Sequence, residues 1–91
     1  MNFRVVWRHR LLDRLADYYV AALESGEAFT RAAARIDFVL RTNPHEAGES
    51  RGAFQRIYFA PPLIVDFEIY DEAEVVFVTA LRYLGHPHSS P

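Results

Sequence analysis

The apolar positions of the chain change rhythm near Gly52, from one recurring every three or four residues to one recurring every second residue. Phe3 to Trp7, with two valines and two aromatics, reads as a strand. Leu11, Leu12, Leu15, Tyr18, Tyr19, Ala22 and Leu23 follow at i, i+3, i+4 spacing and predict a helix. Arg10, Asp13, Arg14 and Asp17 fall mostly between them, as a solvated face should. Ser25-Gly26 is expected to end this helix, with the glycine in a left-handed cap. A second helix carries Phe29, Ala32, Ala33, Ile36, Val39 and Leu40 on one face, with Arg31, Arg35 and Asp37 elsewhere. Asn43-Pro44 stops it, because proline disfavours helical geometry in the residue before it. So short a connection predicts an antiparallel helical hairpin.

The polar stretch from His45 to Gly52 holds two glycines and reads as a loop. Phe54 to Ala60 alternates as a strand, and Pro61-Pro62 must break it or place it at an edge, since proline donates nothing to a ladder. Leu63, Val65, Phe67 and Ile69 then take one face of a strand, with Ile64, Asp66, Glu68 and Tyr70 on the other. Asp71 to Glu74 is a hairpin turn, and the almost wholly apolar run from Val75 to Leu81 predicts a central strand covered on both faces. Residues 85–91 have little to bury and are expected to form a flexible tail after a single domain at 1–84. The expected class is α+β in the order β-α-α-β-β-β, a helical hairpin packed on a mostly antiparallel four-stranded sheet.

Composition narrows this picture. At 91 residues and 51% hydrophobic, the chain has enough for one modest core. It contains no cysteine, so neither a disulfide framework nor a thiolate metal site can form. Its opening lacks a signal-peptide apolar run, and no stretch nears the roughly 20 apolar residues of a membrane span. The expectation is a soluble, cytoplasmic protein without a membrane partner. All ten basic residues are arginine, seven of them in residues 1–45 beside five acids and three in residues 46–91 beside seven. A net charge of −2 is not the footprint of an avid nucleic-acid binder.

Candidate chemistry is sparse. His86 and His88 stand two apart on the expected tail, where no second shell would fix them, so no metal site and no cofactor is expected. Asp66 and Glu68 share a strand face about 7 Å apart. Such pairs can divide acid and base roles, but a solvated face, with Arg56 as cross-strand partner, is the plainer reading. Arg56, Tyr58, Tyr70, Arg82, Tyr83 and His86 lie on or just beyond three strands, and several are expected to gather on the less covered sheet face. Arginine and tyrosine there could hold RNA through phosphate contacts and stacking, or anchor a protein partner, or simply decorate an edge. Phosphate-cradling glycine loops and catalytic serine motifs are absent.

The layout resembles the RelE/ParE superfamily of toxins from bacterial type II toxin–antitoxin pairs. Phe3-Arg-Val-Val-Trp resembles the family's opening strand, and Ala34-Arg-Ile-Asp-Phe-Val-Leu, closed by Asn43-Pro44, its second helix. Gly48-Glu-Ser-Arg51 followed by Phe59-Ala-Pro-Pro-Leu-Ile-Val-Asp-Phe67 resembles uncharacterised ParE-like members, and Val75-Val-Phe-Val-Thr-Ala-Leu-Arg82 the closing strand. The resemblance spans residues 2–84 and implies a cognate antitoxin protein as partner. It further implies either inhibition of DNA gyrase or ribosome-dependent mRNA cleavage. For cleavage, Arg82 takes the closing-strand arginine's place, Arg56 stands in for an upstream basic residue, and Tyr83 falls earlier than the family's terminal tyrosine. The family's lysine positions hold no lysine here, which favours action by binding, with Arg51, Tyr58, Tyr70 and His86 as partner-binding candidates. A third reading is a non-toxic α+β interaction module, a homodimer through the edge strand before Pro61.

Overall fold

A computed structural model describes residues 2–21 and 26–84. The elements run β1 (Arg4–Trp7), α1 (His9–Ala21), α2 (Gly26–Thr42), a 3-10 turn (Pro44–Glu46), β2 (Glu49–Ser50), β3 (Gln55–Ala60), β4 (Leu63–Tyr70) and β5 (Val75–Tyr83). The class is α+β with two helices, as the change of rhythm implies. The sheet has five strands, not four, in the order β1-β5-β4-β3-β2. It is mixed: β1 runs parallel to β5, and the other pairs are antiparallel. The added strand lies inside the expected loop, where Glu49 pairs with Ile57 and Ser50 with Arg56. Two polar residues are too few to show an alternation. Gly26 is the first residue of α2, and the expected end of α1 at Ser25 lies outside the described residues. The expected tail, residues 85–91, lies outside the described residues.

The helices cover one face of the sheet unequally. Phe29, Ala32, Ile36 and Leu40 of α2 are buried, one stripe at the helical period. On α1 only Leu11 is buried, with Leu15 and Tyr18 packed partway into the same core. Tyr19 late on α1 meets Phe29 early on α2 with ring centroids 5.6 Å apart, as in a helical hairpin. Beneath them Leu63, Val65, Phe67, Val76 and Val78 are completely buried. Each such side chain contributes roughly 1.5–3 kcal/mol by leaving water.

Register decides which residues face the helices. Pro61-Pro62 closes a two-residue hairpin, so Ala60 opposes Leu63, Tyr58 opposes Val65 and Arg56 opposes Phe67. Directly opposed residues share a face. Arg56, Tyr58 and Ala60 therefore point toward the helices, and Ile57 and Phe59 point away with Ile64, Asp66 and Glu68. β2 covers only Arg56 and Ile57 of β3, so among the described residues Tyr58–Ala60 has no strand partner on that side.

β5 does not alternate evenly, because Asp66 opposes Ala80 while Phe67 opposes Val78, leaving Thr79 as an extra residue. Such a bulge resets the phase of the strand. Val76 and Val78 face the helices before it, and Leu81 and Tyr83 face them after it. The expectation of full cover on both faces is corrected: Val76, Val78 and Leu81 are buried, while Val75, Phe77, Thr79 and Ala80 are half-buried on the other side or at the bulge.

Candidate functional site

The residues singled out in the sequence divide between the two faces of the sheet. Arg56 points toward the helices, where its Nε donates to the Ala47 carbonyl at 2.9 Å and its Nη2 to that of Gly48 at 3.1 Å. It is a strut that ties the segment after α2 to β3. Tyr58, on the same face, accepts a hydrogen bond from Arg35 Nε at 3.4 Å. Tyr83 packs its ring on Tyr18 at 5.3 Å and Phe29 at 6.0 Å between centroids. Arg82 and Tyr70 lie on the opposite face, and Arg51 is exposed at the end of β2. His86 lies outside the described residues. Of the residues expected to gather in part on the less covered face, strand parity places Arg82 and Tyr70 there and Arg56, Tyr58 and Tyr83 under the helices.

The two carboxylates of β4 are each engaged, and neither by Arg56. Asp66 Oδ1 accepts from Arg82 Nη2 at 3.3 Å, across the β4–β5 pair. Glu68 accepts from the Tyr70 hydroxyl and from Gln55 Nε2 at 3.3 Å. That hydrogen bond, with slight desolvation and the charge of Glu68, raises the Tyr70 phenol above its ordinary pKa. Phe54 stacks beside Tyr70, ring centroids 5.5 Å apart, so this corner of the sheet holds an ordered polar and aromatic set. His45 Nε2 meets Asp71 Oδ1 at 2.5 Å and turns its ring edge-on to Phe3. Among the described residues, no group of three or more histidine and acidic side chains is placed to hold a metal ion.

Four arginines meet at one groove, three from the start of α1 and one from the end of β5. A groove of about 340 Å³ lies between the start of α1 and the end of β5, lined by Arg8, Arg10, Arg14 and Arg82 with Thr79 and Asp66. β1 ends at Trp7 opposite Val78, and the chain turns at Arg8 into α1. Three arginines thereby stand beside the part of β5 that β1 does not reach. The bulge at Thr79 completes the arrangement by turning Arg82 outward, toward Asp66. The signal was present as three arginines within residues 8–14 against one acid, Asp13, but ordinary solvated helix faces look the same. Among the described residues no helix is long and apolar enough to cross a membrane. No family model, no curated protein and no solved structure matches the chain.

Proposed function

We propose that the chain is a toxin-like component of a type II toxin–antitoxin pair, ParE-like in kind, that acts by binding a protein and is neutralised by a cognate antitoxin. The layout supports this reading: a helical hairpin lies on one face of a sheet whose first strand runs parallel beside its last. Gyrase is the example target that the resemblance supplies. The dispersal of the candidate catalytic residues favours binding over RNA cleavage. Attack by a 2′-hydroxyl needs a base, an acid and charge stabilisation converging on one phosphate, and loss of a positioned proton-transfer group costs about 10²–10⁴-fold. Arg56 is engaged with backbone carbonyls on one face, Tyr83 is packed among aromatics on that same face, and Arg82 lies on the other.

Expression of the full chain alone in a bacterial host is expected to slow growth, and co-expression of the neighbouring gene's product to restore it. Unchanged growth at every expression level sinks the proposal. Cleavage of mRNA in those cells, lost on Arg82→Ala, would replace binding with endoribonuclease action.

A further inference from the structure

We propose that the groove between α1 and β5 binds an extended acidic peptide. Its carboxylates would pair with Arg8, Arg10, Arg14 and Arg82, and its backbone with the free edge of β5. The inference rests on the groove and not on the toxin reading.

The charge of the groove is unbalanced from within. Arg8, Arg10 and Arg14 are exposed, and among the described residues none of them forms an ion pair. Among the described residues Asp66 is the one acidic residue lining the groove, and Arg82 already holds it. The first turn of α1 carries no acid either, so its dipole adds to the positive field. Guanidinium groups suit carboxylates, which they bind through paired parallel hydrogen bonds.

The floor of the groove indicates an extended peptide in particular. β1 pairs with β5 only as far as Val78, while β4 pairs with it as far as Tyr83. From Ala80 to Tyr83 the β1 side of β5 therefore has no strand partner among the described residues. A strand laid there would continue the sheet past the end of β1, and edge addition of this kind takes its affinity from main-chain hydrogen bonds. A nucleic acid could use the arginines but not that edge. Among the described residues it would also find no aromatic side chain in the lining on which to stack a base.

The test uses the full chain and three fluorescent probes: a short peptide alternating glutamate and valine, the same peptide with glutamine for glutamate, and a single-stranded RNA of similar length. Anisotropy titration is expected to show binding of the glutamate peptide and affinity lower by about tenfold or more for the glutamine peptide. The doubly substituted Arg10→Glu, Arg14→Glu protein is expected to lose at least about tenfold toward the glutamate peptide. Arg31→Glu, on the exposed side of α2, should leave binding unchanged. Amide NMR shifts on addition of the glutamate peptide should concentrate at Ala80 to Tyr83. Equal binding of the two peptides would overturn the proposal, as would tighter binding of the RNA or shifts that avoid β5. The comparison between peptides uses the unsubstituted protein, so it stands even where a charge reversal disturbs folding.

Discussion

At Gly48 the backbone leaves no room for a side chain. Its φ is +62°, in the left-handed region, and a Cβ built there would lie 1.8 Å from the Ile57 carbonyl oxygen. The cause is the step that follows, because Glu49 pairs with Ile57 and the chain must descend onto β3 within one residue. Neither partner is free to retreat, since both are main chain. Gly48→Ala is therefore expected to cost more than about 2 kcal/mol, the positive φ and the backbone collision acting together. Urea unfolding would read this as a lower midpoint at unchanged slope. An unaltered midpoint would mean that β2 can lift off β3 without loss.

The elements show which arginines hold the fold and which are available for other work. Arg56 is half-buried, and its two hydrogen bonds fasten the carbonyls of Ala47 and Gly48 to β3. Ala47 itself is 3% exposed, so its carbonyl has little access to water once that donor is gone. Hydrogen bonds from a charged donor contribute about 1.5–3 kcal/mol each, and Arg56→Met is expected to destabilise by about 2 kcal/mol or more. Arg82→Met, which removes a half-exposed ion pair with Asp66, should cost less than about 1 kcal/mol. Thermal unfolding of the two variants side by side checks the ranking, and an equal loss would refute the division of roles. Much of this was legible in the residues. The alternation of β4 holds at Leu63, Val65, Phe67 and Ile69, and α2 ends at Thr42 just before Asn43-Pro44. The faces of β3 were legible too, because a two-residue turn at Pro61-Pro62 sets Tyr58 against Val65 and Arg56 against Phe67. Chemical type, read without that parity, placed the tyrosines and arginines together. The bulge was hidden because Val75 to Leu81 is apolar at nearly every position, which leaves no contrast by which a phase shift could be seen. β2 is only two polar residues, too short for any period to show, and the edge that β1 leaves free arises from a pairing between distant residues, to which local periodicity is blind.

Across the whole molecule, burial is concentrated in α2 and the middle of the sheet, and α1 is attached more lightly. Val65 and Phe67 of β4 are wholly buried between β3 and β5. On α1, Leu11 alone is buried, while Leu12 and Val20 remain 48% and 64% exposed. Opening free energies follow buried apolar contact, ranging from near zero at weakly packed segments to the global value in core strands. The amides of α1 between Leu15 and Ala21 are thus expected to exchange with solvent at least about tenfold faster than those of β4, by native-state hydrogen exchange followed by NMR. The same measurement bears on the basic groove, since Arg10 and Arg14 stand on α1 and Arg82 on β5. A ligand that bridges the helix and the strand adds its binding energy only to the closed state and must slow the opening of α1 by mass action. With the glutamate–valine peptide present, exchange in α1 should slow, and the most protected amides of β4 should slow as well, because the global unfolding that exposes them also destroys the groove. Equal protection of α1 and β4 without peptide would show that the helix is held by more than Leu11 and its half-buried neighbours, and that the molecule opens as one unit.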